Sequence, residues 1–267
     1  MDIIQLRPRL HFLRLPVGQA YLWSDPDGLT LIDAGLPGSA PLIAEGIQQA
    51  GYRPADLRRL VLTHFHPDHI GAAADIAGWG EVEVLAHHAD APFIRGETAG
   101  PPPDLADWER PLYDQVVGQR PSESAGPSEP AVAPGPALVP GPVLVPGPVL
   151  VPGPALAPRI DRELGDGDEL GFGDGAVTVA VPGHTPGSIA VYLPRHQVLF
   201  AGDAAARGPS GRVISVFNVD RAEAAASLRR LAGLSAAVAC FGHGEPLTRD
   251  AAATLEAAGQ SLPDVTD

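Results

Sequence analysis

This chain is nearly without cysteine and wholly without lysine. Its one cysteine, Cys240, excludes an intrachain disulfide and fits a reducing cytoplasm. All 18 basic residues are arginine, against 32 acidic ones, and the formal net charge is −14. A chain this acidic repels a phosphate backbone, so no nucleic-acid partner is expected. Arg58-Arg59 and Arg229-Arg230 are isolated pairs that read as solvated faces. The missing lysine, beside abundant alanine, glycine and proline, points to GC-rich coding and carries no chemistry. No apolar run approaches the roughly 20 residues that span a bilayer, so no membrane partner is expected. Met1–Pro8 lacks a basic stretch followed by an apolar one, so a secretory signal is not expected and the location reads as cytoplasmic. At 267 residues, 45% apolar content and a mean hydropathy of +0.05, the chain has material for a large core in one or two domains.

What the chain does hold is a dense run of metal ligands, His64-Phe65-His66-Pro67-Asp68-His69. Leu60-Val61-Leu62-Thr63 precedes it as a buried strand, and Ile70-Gly71-Ala72-Ala73-Ala74 follows as a helix. In extended chain, residues two apart face one side, so His64 and His66 can grip one cation. Asp68 and His69 lie past the turn and point elsewhere, which suits a second cation nearby. Histidine with carboxylate suits a borderline cation such as Zn²⁺. The alternative, a His-rich surface loop, is opposed by three more candidates downstream: His184 in Pro182-Gly183-His184-Thr185-Pro186-Gly187-Ser188, Asp203 in Ala201-Gly202-Asp203-Ala204, and His243 in Phe241-Gly242-His243-Gly244. Each follows a strand-like run (Val177–Val181, Val198–Ala201, Ala236–Phe241), and each is flanked by glycine, which permits a tight turn and close approach.

These motifs resemble the metallo-β-lactamase superfamily in its dinuclear, glyoxalase II-like branch, over nearly the whole chain outside one insertion. The resemblance implies an α+β fold, the four-layer αββα sandwich, as a single domain over 1–267. It implies His64, His66 and His184 on one metal, Asp68, His69 and His243 on a second, and Asp203 bridging both. It also implies two zinc ions, although the same ligands accept manganese or iron. Asp33, in Leu31-Ile32-Asp33-Ala34-Gly35, matches the family's aspartate beside the site; a plain strand-end turn is the alternative. Cys240 reads mainly as a core residue three positions before His243.

Along the chain, Tyr21–Trp23 and Leu29–Ile32 read as a hairpin around Asp25-Pro26-Asp27-Gly28. A helix is expected from Ser39 to about Ala50, stopped by Gly51, and another over about His69–Ala77. Val82–Ala86 reads as a strand and His87–Ile94 as a short helix, with His87 and His88 as surface residues at its start. Strands are expected at Val177–Val181, Ile189–Leu193 and Val198–Ala201, with His196 exposed in the turn Pro194–Gln197. Asp220 and Glu223 form a capping pattern for a helix to about Leu231. Ala236–Phe241 is the last main strand, and Thr248 opens the final helix. A hexapeptide, Pro134-Gly135-Pro136-Ala137-Leu138-Val139, recurs from Pro140, Pro146 and Pro152. Its prolines exclude helix and central strand and leave polyproline II or turns. We therefore assign about 100–158 as a low-complexity insertion, read as a disordered loop, a lid, or an arm for a protein partner.

Two cations sharing Asp203 would share a hydroxide able to cleave an ester, thioester or lactone of a small acyl substrate. Asp68 would also shuttle its proton to the leaving group. Departures from the family's branches narrow the choice. True β-lactamases place cysteine or serine where Asp203 stands. Few residues follow His243 compared with the glyoxalase II enzymes, whose further C-terminal domain binds glutathione. The acyl-homoserine lactonases carry tyrosine where this chain has Ala206. Flavodiiron proteins replace the second histidine, here His66, with glutamate. The alternatives are an iron-dependent persulfide dioxygenase and a non-catalytic metal-binding protein that uses the Pro-Gly arm. Specificity is expected from the loops around Val17–Ala20, the insertion, and Arg207–Phe217. Arg207 and Arg212 read as solvated in preference to binding a substrate carboxylate.

Overall fold

Period-two alternation sorts the strand side chains onto two faces, and the sorting defines the layers. In the computed structural model, residues 2–117, 157–208 and 210–261 are described. Seven strands form the first sheet in the order β1 (Asp2–Arg7), β2 (Leu10–Arg14), β3 (Ala20–Asp25), β4 (Gly28–Ile32), β5 (Leu57–Val61), β6 (Glu83–His87) and β7 (Arg162–Leu164). β1 to β4 run as an antiparallel meander, and β4 to β7 pair in parallel. The second sheet contains β8 (Val177–Ala180), β9 (Ile189–Leu193), β10 (Val198–Phe200) and β13 (Val238–Cys240), in the order β13-β10-β9-β8. A small hairpin joins β11 (Ala206–Arg207) and β12 (Val213–Ile214).

Tyr21, Trp23, Ile32, Val61 and Leu85 of the first sheet meet Ile189, Val191, Leu193, Val198 and Phe200 of the second in an apolar core between the sheets. The alternate positions Leu22, Leu29, Leu31, Leu60 and Val84 face outward. There they pack on Ile43 and Ile47 of α1 (Ala40–Gln49), Ile70 of α2 (Pro67–Ile70), Ile76 of α3 (Ala73–Ala77) and Ile94 of α4 (Ala91–Ile94). On the far side, Val179, Ala190, Leu199 and Ala239 pack on Leu228 and Leu231 of α6 (Arg221–Ala232) and Leu255 of α7 (Ala251–Gln260). Three cores between four layers make the αββα sandwich. Among the described residues, no helix is long and apolar enough to cross a membrane.

Several expectations need correction. The helix expected over His69–Ala77 starts at Pro67 and is interrupted at Gly71, whose N–H turns to the Gly35 carbonyl at 2.8 Å. His87 is not a surface helix residue: it ends β6 and is buried, while His88 beside it is exposed. His196 is half-buried, because Asp174 accepts its Nε2 at 2.9 Å and its ring packs against Trp23. The final helix starts at Ala251, not Thr248, behind Asp250 in a left-handed turn with φ 53°. β1, β2, β7, β11 and β12 have no counterpart among the strands expected from the sequence. The N-terminal part of the assigned insertion is built structure: it contains α5 (Arg110–Val117), and Leu105, Leu112 and Tyr113 pack on Ala206, Val216 and Phe217. Residues 118–156, and with them all but the last residue of the hexapeptide repeats, lie outside the described residues. The expected N-cap at Asp220 is present, its side chain accepting the Glu223 N–H at 2.9 Å. Cys240 lies in the core between the sheets, where burial pushes its thiol pKa well up.

Candidate metal centre

Every proposed ligand lies at one edge of the sandwich, just past a strand or within a short helical turn. His64 and His66 follow β5, and Asp68 and His69 sit in α2. His184 follows β8, Asp203 lies in the single turn Gly202–Ala204 after β10, and His243 follows β13. The fold brings all seven together, and all are buried. His64, His66 and His184 form one group able to hold a cation; Asp68, His69 and His243 form another; His64, His69 and Asp203 form a third that links them. Asp203 is the common neighbour: its Oδ2 lies 3.2 Å from His243 Nε2, 3.6 Å from His184 Nε2 and 4.0 Å from His64 Nε2, and its Oδ1 lies 3.5 Å from His69 Nε2.

Hydrogen bonds behind the rings decide which nitrogens face the centre. The Asp33 carboxylate accepts from Thr63 N–H, from the Thr63 hydroxyl and from His69 Nδ1, each at 2.8 Å. Asp33 can only accept, so His69 carries its proton on Nδ1 and turns Nε2 inward. The Thr63 hydroxyl is committed as a donor to Asp33 and so accepts from His64 Nδ1 at 3.0 Å. The Val216 carbonyl accepts from His184 Nδ1 at 3.1 Å. Asp33, at the end of β4 with φ 62°, is therefore both the strand-end turn and the support of His69.

The residues present fit a cation on two counts. Nε2 of His64 and of His184 lie 3.0 and 2.9 Å from His66 Nδ1, three nitrogens converging where one proton cannot serve them all. Burial, the largest cause, holds His64 well below the usual histidine range, lowers His184, and lowers His66 to about 3, so these rings are neutral and offer lone pairs. In the other group both Asp68 oxygens, His69 Nε2, Asp203 Oδ1 and His243 Nε2 are buried without a hydrogen-bond partner. His243 Nε2 does lie 3.1 Å from Asp68 Oδ2, but without the alignment of a hydrogen bond. Burial works to lower His69 and His243, but neighbouring carboxylates, Asp203 foremost, outweigh it; His69 is raised well above its ordinary value and His243 to about 9. Burial likewise works to raise Asp68 and Asp203, and the two histidines outweigh it and hold both well down. Two buried carboxylates thus face two imidazoles with these atoms free of hydrogen bonds, the acceptor set that a cation would use.

Glycine makes the close approach available. A Cβ on Gly242 would fall inside contact distance of Asp203 Oδ1, and one on Gly18, which has φ 64°, inside that of the Asp68 carbonyl.

Residues 14–243 match the metallo-beta-lactamase superfamily. The chain belongs to that superfamily. Among its relatives, the probable metallo-hydrolase YflN of Bacillus subtilis (strain 168) is 29% identical over 252 residues, covering 90% of this chain and 81% of the relative. A hydroxyacylglutathione hydrolase of Fuscovulum blasticum is 39% identical over 86 residues, 32% of each chain. The crystal structure of a metallo-beta-lactamase family protein from Thermus thermophilus superposes with a TM-score of 0.62 at 24% identity, covering 96% of this chain and 81% of that one. At that identity the likeness is one of metallo-β-lactamase fold.

One residue tied into this metallo-β-lactamase site escaped the sequence reading. Asp90 is 0% exposed and sits at the start of α4, where it looks like an ordinary helix cap. Its carboxylate instead accepts from Gly187 N–H at 2.7 Å, Phe65 N–H at 3.0 Å and the Thr185 hydroxyl at 2.7 Å. It thereby ties the His64–His66 loop to the His184 loop. Partners 25, 95 and 97 residues away leave no local signal. Arg212 is exposed, and Arg207 is half-buried within its own hairpin, its Nε directed at the Gly211 carbonyl.

Proposed function

We propose that this chain is a metal-dependent hydrolase that cleaves an ester, thioester or lactone of a small acyl substrate, with zinc as its metal. The observation that carries the reading is the position of Asp203, within 4.0 Å of a ring nitrogen of His64, His69, His184 and His243. A single carboxylate so placed can serve two cations at once. His64, His66 and His184 would hold one, Asp68, His69 and His243 the other, with Asp203 between them. When bound, such a pair supplies an activated water near neutral pH and polarises a carbonyl. The chain's own residues do the rest. Asp33, Thr63 and the Val216 carbonyl hold the ring tautomers so that lone pairs face inward. Asp68, with neither oxygen engaged in a hydrogen bond, is the group placed to take a proton from the attacking water and pass it to the leaving group.

Similarity to a probable metallo-hydrolase over most of the chain, and to a hydroxyacylglutathione hydrolase over a third of it, supports hydrolysis and keeps thioesters among the candidate substrates. The test is proton release by zinc-loaded protein across thioesters, lactones, simple esters, β-lactams and phosphodiesters, with a His66→Ala/Asp203→Ala variant as control. Turnover confined to one acyl class and lost in the variant is the expected result. Silence toward all of them with metal bound would overturn the reading.

A further inference from the structure

Glu109 is 2% exposed, although it stands beside Trp108, which is 62% exposed. A buried carboxylate needs donors, and Glu109 has two from the main chain. Its Oε2 accepts from Ala106 N–H at 2.8 Å, a local bond that shapes the turn into α5. Its Oε1 accepts from Phe217 N–H at 2.8 Å, across 108 residues of sequence. Phe217 is buried in a left-handed conformation with φ 55°, which is unfavourable for a side chain of that size and must be held by its surroundings. The surroundings are α5 and the turn before it. Tyr113 packs edge-on against the Phe217 ring at 5.4 Å, and the Asn218 carbonyl accepts from Asp104 N–H at 2.8 Å. The peptide that joins Val216 to Phe217 therefore offers its N–H to Glu109 and its carbonyl to His184 Nδ1 at 3.1 Å.

We propose that Glu109 is a positioning residue for the metal centre: by gripping the N–H of the Val216–Phe217 peptide, it aims the Val216 carbonyl that fixes the tautomer and tilt of His184. This rests on the reading of His184 as a ligand. No shorter or neutral side chain substitutes. Aspartate is one methylene short of spanning the gap, and glutamine has a single oxygen for two N–H donors, so one donor would face its NH₂ group. The role also accounts for a carboxyl group buried at the root of α5.

The experiment compares wild type, Glu109→Gln and Leu112→Ala, all stripped of metal and titrated with cobalt(II). Leu112→Ala loosens the packing of α5 on Val216 and Phe217 but leaves the carboxylate in place. Binding is followed by visible absorption. The Nδ1–H resonance of His184 is followed by proton–nitrogen NMR of histidine-labelled, zinc-loaded protein. Glu109→Met replaces the glutamine variant if the latter does not melt cooperatively. The expected result is about a tenfold or greater loss of cobalt affinity in Glu109→Gln, with the His184 Nδ1–H resonance shifted or lost to exchange. Leu112→Ala should lower the melting temperature, keep cobalt affinity within about twofold of wild type and leave the His184 Nδ1–H resonance in place. Wild-type affinity and an unmoved resonance in Glu109→Gln, or an equal loss in Leu112→Ala, would overturn the proposal. A wild type that binds no cobalt would instead overturn the reading of His184 as a ligand, and this role with it.

Discussion

Asp90→Asn separates two forces that act on one buried carboxyl. The carboxylate accepts from three donors, and an amide can accept through only one atom. With its NH₂ turned toward Thr185, the Phe65 N–H loses its acceptor; turned the other way, the Gly187 N–H loses it. Either rotamer strands one buried backbone donor, which costs about 1–3 kcal/mol. At roughly 2–4 °C per kcal/mol for a chain of this size, the melting temperature should fall by about 2–12 °C. The opposing force is desolvation. Burial raises the Asp90 pKa to about 6 despite the hydrogen bonds from Thr185, Gly187 and Phe65. A carboxyl whose folded value exceeds its unfolded 3.8 binds its proton more tightly in the native state. Its contribution is fully present below about 3.8 and is lost as pH rises through about 6, roughly 3 kcal/mol in total. The protonated acid can keep all its partners, since Thr185 Oγ1 can accept from it while donating to Ser188 Oγ at 2.8 Å. Asparagine never ionises. Its deficit against wild type should thus shrink steadily as pH rises from 5 and should reach zero or reverse near pH 8. Thermal melts of both proteins in excess zinc across that range are the assay. A deficit that grows with pH, or none at any pH, would refute the reasoning.

Gly18→Ala puts a methyl into the Asp68 carbonyl at a backbone position with φ 64°, so bound metal measured by elemental analysis should drop by about one equivalent per chain; full stoichiometry would count against the packing argument. Asp33→Asn suits the left-handed turn but confronts either Thr63 N–H or His69 Nδ1–H with an NH₂ group. Zinc affinity should fall about 10- to 100-fold while the far-ultraviolet dichroism stays native, and an unchanged isotherm would mean that Asp33 does not orient His69. Stripping metal with a chelator should cost about 2.7 kcal/mol relative to zinc at a hundredfold over its dissociation constant, or roughly 5–11 °C in melting temperature. Identical melts with and without chelator would argue against a cation among these ligands.

Much of the candidate site was legible because side chains suited to a metal are clustered locally. His64, His66, Asp68 and His69 fall within six residues, and glycine marks His184, Asp203 and His243 at strand ends. The capping bond at Asp220 and the hairpin around Pro26 and Gly28 were readable for the same reason, since turn and cap signals span four residues. The misreadings share a cause. His87 looked like a helix start because nothing near it in sequence shows that β6 runs to that position, paired with Leu164 across the insertion. Residues 100–117 looked like part of a low-complexity insert because proline-rich flanks mask the apolar contacts of Leu105, Leu112 and Tyr113 with a loop that arrives a hundred residues later.

By itself, the sequence determined the candidate ligands, the alternation of strands and helices, and the absence of an intrachain disulfide, because residue type and short-range periodicity suffice for these, whereas the αββα layering was implied by the family resemblance. Only the tertiary structure decided that Asp203 lies between both histidine groups, that Asp90 couples the two ligand loops, and that Glu109 reaches Phe217. Those relations exist only once residues tens to hundreds of positions apart are packed at one edge of the sandwich.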